Sequence, residues 1–190
     1  MDPVSLGCGS FGCAYTVEGH PGIVVKITGD SSEAAAANAV IAARARGAVF
    51  PGLVRYLCAY AVQDRKVYVL IMEKLLPLPR VDQEWIHDHG DDIVKAARRE
   101  HTTAAAWAAQ IAGGSARVTN VALLIETLRA LWRQAGVHWI DLHGGNVLVH
   151  PADGRWRIID LGISNVNPAQ RLPRLDAFAE IAAARLGGAP

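Results

Sequence analysis

DLHGGN, at residues 141–146, and IIDLG, at residues 158–162, are the two stretches of this sequence that decide its expected fold. They place Asp141 five positions before Asn146 and put a second carboxylate, Asp160, after a short apolar hairpin. A loop carboxylate can orient a hydroxyl and accept its proton, while an amide oxygen and a second carboxylate can hold divalent metal ions. The transfer of a phosphoryl group from ATP requires such a set, so parts that hold a nucleotide are expected upstream.

A glycine-rich stretch, GCGSFG at 7–12, lies between strands predicted at 4–8 and 14–18. Because a strand and not a helix follows it, this is not a dinucleotide-binding turn. A glycine-rich hairpin can instead fold over a triphosphate, since glycine lets backbone N–H groups approach the phosphate oxygens. An ordinary tight hairpin has the same pattern. The residues expected to contact nucleotide here are Gly7, Gly9, Ser10, Phe11 and Gly12, with Val17 in an apolar roof over the base.

Lys26 lies inside an otherwise apolar strand predicted at 23–28. A strand interior disfavours a lone cation unless an anion pairs with it. DSSE at 30–33, ahead of an alanine run, predicts a capped helix that stops at Gly47, and Glu33 is the only acidic residue in that helix. Two interpretations stay open: a phosphate-positioning ion pair, or an edge lysine facing water and a solvated Glu33 that complements the helix dipole.

The chain beyond this helix is first strand-rich and then helical. The other predicted elements are strands at 54–61, 66–72, 146–149 and 156–159, a turn at 63–65, and helices at 81–111 (one or two), 118–135 and 175–186. The stretch IMEKL at 71–75 leaves a strand, so the backbone groups of Glu73 and Leu75 can pair with an adenine edge, although a plain linker fits as well. Pro77 is expected to break the chain there.

The composition predicts a soluble globular protein of 190 residues, with 51% hydrophobic and 19% charged residues. Nineteen basic and eighteen acidic residues nearly cancel, which gives no argument for nucleic acid or a membrane surface as a partner. The alanine-rich stretches are too short to cross a bilayer, and the N-terminus does not resemble a signal peptide. Three cysteines without metal spacing favour reduced thiols in the cytoplasm. HDHGDD at 87–92 is expected to be a solvated polar segment.

In this order the parts resemble the protein-kinase-like superfamily, over about residues 5–75 and 120–165. The shared parts are a glycine-rich loop, a strand lysine, a helix glutamate, a hinge, an Asp-x4-Asn loop and an Asp-Leu-Gly motif. The resemblance implies one kinase-like α+β domain with two lobes. It has a β-rich N-terminal lobe at 1–73, a hinge at 73–78 and a reduced helical C-terminal lobe at 79–190.

The resemblance also implies roles for individual residues, with Mg-ATP bound between the lobes. Asp141 would be the catalytic base, and Lys26 with Glu33 would position the phosphates. His143 stands where many protein kinases carry a lysine near the γ-phosphate. The magnesium ligands would be Asn146 and Asp160. The other implied nucleotide contacts are Val24, Met72 as gatekeeper, Glu73, Leu75 and Leu148.

Several departures point to a compact atypical branch, such as the Bud32 type or minimal kinase-like proteins of bacteria and phages. Trp139 and Ile140 replace the His and Arg that precede the aspartate in regulated protein kinases, and only 28 residues follow Gly162. The expected function is an atypical Ser/Thr protein kinase, with itself among its candidate substrates. A kinase of small hydroxylated molecules of the aminoglycoside type, an ATPase and an inactive pseudokinase acting as a binding module are the alternatives. Residues 79–118 would carry the acceptor site, and the sequence does not indicate an oligomeric state.

Overall fold

The computed structural model describes residues 4–62, 66–99, 101–113, 115–162 and 164–166. The predicted turn at 63–65 and the predicted helix at 175–186 lie outside these residues. The described part is α+β, as predicted, with antiparallel sheets and four α-helices.

The larger sheet has five antiparallel strands in the order β1-β2-β3-β5-β4. The strands are β1 (Ser5–Cys8), β2 (Gly12–Val17), β3 (His20–Thr28), β4 (Tyr56–Ala61) and β5 (Tyr68–Glu73). The turn between β2 and β3 takes only Glu18 and Gly19, because Gly19 adopts a φ of 75° that lets the chain reverse there. β3 therefore begins three residues earlier than its β-branched core predicts.

Helix α1 (Ser31–Ala45) packs on β4 and β5. Its start follows the predicted cap, since Asp30 Oδ1 accepts hydrogen bonds from the backbone N–H groups of Ser32 at 2.7 Å and Glu33 at 3.3 Å. Alanines fill its buried face, which lets the helix lie close to the sheet. Gly47, with a φ of 92°, follows the helix end. Glu33, in the first turn of α1, is thereby buried, whereas Ser31 at the start of that turn is exposed.

Helices α2 (Arg80–Arg98), α3 (Ala104–Ile111) and α4 (Ser115–Ala130) pack against one another. α4 continues as a π-helical turn, Leu131–Ala135, and ends at Gly136 as predicted, where the φ of 64° closes the helix. The segment predicted as one or two helices is two, and HDHGDD lies within α2. The fully buried side chains of this part include Ile86, Ile93, Leu124, Leu128 and Trp139.

Two small sheets complete the described part. β6 (Leu76–Pro77), β8 (Val147–Val149) and β9 (Trp156–Ile158) form one, and β7 (Val137–His138) pairs with β10 (Asn165–Val166) in the other. Pro77, expected as a chain breaker, lies in β6 at a sheet edge, where its missing N–H interrupts no inner ladder.

Backbone hydrogen bonds connect β9 to the chain before β4. Ile158 N donates to Gly52 O at 2.8 Å, and Val54 N donates to Ile158 O at 2.9 Å. The buried hydroxyl of Tyr56 donates to Ile159 O at 2.9 Å. These contacts fix the position of the segment that carries Asp160 relative to the large sheet.

The cysteines differ from expectation. Cys8 and Cys13 are joined by a disulfide, so the prediction of reduced thiols is wrong for this pair. The antiparallel register of β1 and β2 sets the two residues directly opposite each other, which an odd cysteine count does not indicate. Cys58 is not part of a disulfide. Among the helices of the described segments, none is long and apolar enough to cross a membrane.

Candidate functional site

A cavity of about 560 Å³ lies between the glycine-rich hairpin and the loops that follow β7 and β9. Every predicted site residue except Val17 and Glu33 lines it. Those that do are Gly7, Gly9, Ser10, Phe11, Gly12, Val24, Lys26, Met72, Glu73, Leu75, Asp141, His143, Asn146, Leu148 and Asp160. Residues far apart in the chain therefore converge on one space.

Val17 is not among the residues that line the cavity. Ala14 of the same strand lines it instead. A β-bulge between Thr16 and Val17 places Val17 next to the turn that joins β2 to β3. Ala14, in contrast, pairs directly with Lys26 of β3. Counting the register outward from Lys26 would have found this residue, because cross-strand partners share a face.

Other lining residues were not predicted from the sequence. Leu6, Cys8, Gly145, Ile159 and Gly162 also line the cavity. Each is within two positions of a predicted residue, so proximity along a strand or loop is the signal that could have found them.

Lys26 is the centre of the polar contacts at the back of the cavity. Its Nζ lies 2.6 Å from Glu33 Oε1 and 2.7 Å from Asp160 Oδ2. The Lys26 side chain is 17% exposed and that of Glu33 is 1% exposed. Of the two interpretations, the structure therefore shows the ion pair and not a lysine and a glutamate that both face water. One ammonium group connects β3, α1 and the loop after β9.

The pKa values reflect both burial and these contacts. Burial tends to lower the pKa of Lys26, but the Glu33 and Asp160 carboxylates together outweigh it and raise that pKa above its ordinary value. Burial, with Asp160 as a second cause, raises the pKa of Glu33 from 4.5 to about 7, although Lys26 opposes this. The two shifts pull in different directions, because a raised lysine pKa favours the ion pair and a raised glutamate pKa disfavours it. The 2.6 Å contact favours a charged pair at neutral pH and above.

The loop after β7 is held by Asn146. Its Nδ2 donates to the backbone oxygen of Asp141 at 2.9 Å and lies 3.5 Å from Asp141 Oδ2. Its backbone oxygen accepts a hydrogen bond from Ile159 N at 3.0 Å. Because the amide nitrogen is held by Asp141, the amide oxygen is the atom left to meet a cation.

His143 faces Asp141 across this loop. Its Nδ1 accepts a hydrogen bond from Gly145 N at 3.1 Å, so in the neutral ring the proton is on Nε2. Nε2 lies 3.8 Å from Asp141 Oδ2, and the two side chains are 44% and 48% exposed. A proton donor and a carboxylate are thus placed side by side at the open end of the cavity.

Helix α2 supports the loop directly through two glycines. A Cβ on Gly90 would overlap the backbone oxygen of Leu142, and a Cβ on Gly144 would overlap the backbone of Gln83. The helix and the loop therefore approach more closely than any side chain allows. This contact fixes the distance between α2 and the loop that carries Asp141.

Both oxygens of Asp160 are engaged. Oδ1 accepts from Gly162 N at 2.7 Å, and Oδ2 meets Lys26. The described residues contain no group of three or more His, Cys, Asp or Glu side chains placed to hold a metal. Asp160 and the Asn146 oxygen therefore offer only part of a magnesium coordination shell.

The apolar end of the cavity is bounded by Met72, which is buried, and by Leu75. Glu73 N donates to Arg55 O at 3.0 Å, so this N–H is not available to a base. The Glu73 carbonyl and the backbone of Leu75 are the remaining candidates for an adenine edge.

A second cavity, of about 480 Å³, adjoins the first across His143 and Gly145. Its other lining residues are Gln83, Glu84, His87 and Asp88 of α2, with Gly144. The second cavity therefore lies on the side of the loop that faces α2, and α2 belongs to the segment 79–118, which was expected to carry the acceptor site.

The sequence matches no protein-family model, and no curated protein is significantly similar to it. The candidate function therefore depends on the geometry of the site and on the resemblance of its motifs.

Proposed function

We propose that this protein is an ATP-dependent phosphotransferase with a two-lobed, protein-kinase-like fold. The five-stranded sheet and α1 would be one lobe, and the helices α2–α4 with the small sheets the other. The observation that carries the proposal is the bridge from Lys26 to Glu33 and Asp160, in a cavity that Asp141 and Asn146 also line. A half-buried lysine held between two carboxylates is placed to exchange one of them for a phosphate.

The cavity volume supports a nucleotide as the ligand, since small-molecule sites commonly enclose about 300 to 1,000 Å³. The base would pack among Val24, Met72, Leu75 and Leu148. The phosphates would lie under the glycine-rich hairpin, next to Lys26. The backbone N–H groups of the hairpin would then face anionic oxygens without side chains in between.

Asp160 and the amide oxygen of Asn146 would hold Mg²⁺, because hard oxygen donors suit this ion. The donors fit the ion, since the Asn146 amide nitrogen is already fixed by Asp141. When bound, magnesium supplies positive charge that offsets the charge on the phosphate oxygens. Lys26 and the hairpin N–H groups would supply further positive charge and hydrogen-bond donors to the phosphate oxygens.

Asp141 would orient the acceptor hydroxyl and take its proton on Oδ1 or Oδ2. His143 Nε2–H, 3.8 Å from Oδ2, would keep this carboxylate turned toward the junction of the two cavities. The acceptor would reach that junction through the second cavity. A Ser/Thr side chain of a protein or a small hydroxylated molecule fits this description.

The test is turnover of γ-labelled ATP with Mg²⁺, for wild type beside Asp141→Asn, following both label on protein and free phosphate. We expect Asp141→Asn to lose about two to four orders of magnitude in turnover, since it removes the proton acceptor. Asp91→Asn, an exposed aspartate of α2, is the matched control and should keep wild-type turnover. Label on protein indicates a protein kinase, and free phosphate alone indicates transfer to water, by an ATPase or by a small-molecule kinase that lacks its acceptor.

One observation favours a second candidate, a non-catalytic binding module. Lys26 occupies Asp160 Oδ2, the oxygen that a metal ion would need. A module of this kind would bind nucleotide without magnesium or not at all. Absence of turnover in wild type, with or without candidate acceptors, would overturn the enzyme proposal in favour of this one.

A further inference from the structure

The Cys8–Cys13 disulfide lies at the base of the glycine-rich turn. The two residues are paired in the register of β1 and β2, and Gly9–Phe11 forms the turn between the two strands. Gly9 N donates to Gly12 O at 2.8 Å across that turn. The disulfide therefore closes a small covalent ring around the part of the hairpin expected to meet phosphate.

The other restraints on this hairpin are on its β2 side, where β2 pairs with β3 and Phe11 O accepts hydrogen bonds from Gly29 N at 2.8 Å and Thr28 Oγ1 at 3.4 Å. Among the strands that the structure describes, β1 lies at the sheet edge and pairs with β2 alone, and all four of its residues are exposed. Near its start, Val4 O accepts hydrogen bonds from Thr16 N at 2.9 Å and Thr16 Oγ1 at 3.3 Å. At the cavity end, the tie between the strands is the disulfide together with local backbone hydrogen bonds.

We propose that Cys8 and Cys13 form a reversible thiol–disulfide modification site that sets how tightly the cavity binds nucleotide. The inference rests on the proposed function for the identity of the ligand. Cys8 is exposed, so a small thiol can reach the disulfide bond. Cys8 also lines the cavity, so reduction of the disulfide changes the wall of the ligand site.

The chemistry is exchange with a dithiol reductant. One thiolate of the reductant attacks a sulfur of the pair, the Cys8–Cys13 bond breaks, and a mixed disulfide forms. The second thiol of the reductant then attacks that mixed disulfide and leaves as part of an oxidised ring. Two electrons pass to the protein, and Cys8 and Cys13 each take up one proton.

The reduced hairpin has more conformations to lose when it closes over phosphates. The disulfide removes part of that entropy in advance, which is how preorganisation increases affinity. We therefore expect reduction to raise the Kd for nucleotide about three- to tenfold, from the cost of ordering one or two extra side chains.

The experiment is calorimetric titration of a non-hydrolysable ATP analogue with Mg²⁺ into the oxidised and the dithiothreitol-reduced full chain. Wild type and Cys58→Ser are both used, so that a response of the third cysteine is recognised. Thiol alkylation followed by mass measurement reports the state of Cys8 and Cys13 independently of any ligand. The double variant Cys8→Ser/Cys13→Ser should bind like the reduced protein and ignore dithiothreitol.

Two outcomes overturn the inference while the proposed nucleotide site stands. One is an equal Kd for the oxidised and reduced protein. The other is nucleotide binding by a chain whose Cys8 and Cys13 stay alkylatable after oxidation. If neither form binds the analogue, the proposed function fails and this inference fails with it.

Discussion

The two walls of the main cavity are built differently. The glycine-rich hairpin is an exposed sheet edge, and a Cβ on Gly9 would meet nothing within 4 Å. The loop after β7 is packed on α2, with Leu142, Gly144 and Asn146 buried. Pairing with β3, local hydrogen bonds and one disulfide hold the first wall, whereas packing against α2 holds the second.

This difference teaches which wall can move. Segments with few buried contacts open at low free-energy cost, and packed ones open only with the core. In the proposed function, the compliant wall covers the phosphates and the packed wall positions the proton acceptor. The same kind of substitution should therefore have unequal effects on the two walls.

The largest expected effect is that of Gly144→Ala. The added methyl would overlap the backbone of Gln83, so the loop or α2 must shift. We expect a loss of about 3 kcal/mol in the free energy of unfolding, the upper end for overpacking, together with loss of turnover. Urea denaturation and the labelled-ATP assay measure the two.

Gly9→Ala is the matched change in the hairpin. Its Cβ enters open space, and the substitution should alter the free energy of unfolding by about 0.5 kcal/mol at most. Equal destabilisation by the two variants would contradict the distinction between the walls.

The second expected effect concerns the end of the supporting helix. Arg129 of α4 donates to the carbonyl oxygens of Ala96, Ala97, Arg99 and Thr102. Arg129→Ala leaves the carbonyls at the end of α2 without a charged partner, and should cost about 2 kcal/mol of unfolding free energy. Thermal and urea unfolding would measure this.

Arg98→Ala, an exposed arginine in the last turn of α2, is the control and should change stability little. If Arg129→Ala changed the free energy of unfolding as little as Arg98→Ala does, the hydrogen bonds from α4 to the C-terminal end of α2 would not contribute to stability.

The third effect is on the pH dependence of stability. The pKa of Glu33 is raised from 4.5 to about 7 in the folded chain, so between these values the folded state holds more protons than the unfolded state. The wild-type free energy of unfolding should therefore fall as the pH rises from 4.5 to 7, on the order of 1 kcal/mol after allowance for coupling to Lys26.

Glu33→Gln removes this titration and should flatten the profile within that window. Urea midpoints at several pH values measure it, with the exposed Glu84→Gln as control. A profile for Glu33→Gln that kept the wild-type slope would show that another group is responsible.

The change with the smallest effect on stability tests the cavity wall itself. Ala14→Leu adds bulk beside Lys26 and should raise the Kd for nucleotide about tenfold, with stability nearly unchanged at this half-buried position. Calorimetric titration measures the Kd. Val17→Leu lies outside the cavity and should leave the Kd within about twofold of wild type, since surface changes are mostly small. If Val17→Leu raised the Kd more than Ala14→Leu did, Val17 and not Ala14 would contact the nucleotide.

Much of the architecture could be predicted from local patterns. The cap at Asp30, the end of the helical segment at Gly136 and the strand around Lys26 each follow from residue type and spacing over a few positions. Errors arose where register decided the outcome. A bulge moves Val17 away from the cavity, and strand pairing brings Cys8 opposite Cys13. Neither the bulge nor the pairing follows from the amino-acid composition.

The sequence by itself determined the donors and their order: the lysine, the carboxylates and the amide, on elements whose type follows from short-range periodicity. Only the tertiary structure decided that Lys26 meets Asp160, a residue 134 positions away, and that Glu33 is buried beside it. The physical reason is that local propensity fixes an element, whereas burial and packing across the whole chain fix which elements meet. The same packing changes the chemistry of the groups, since burial more than any neighbour raises the pKa of Glu33.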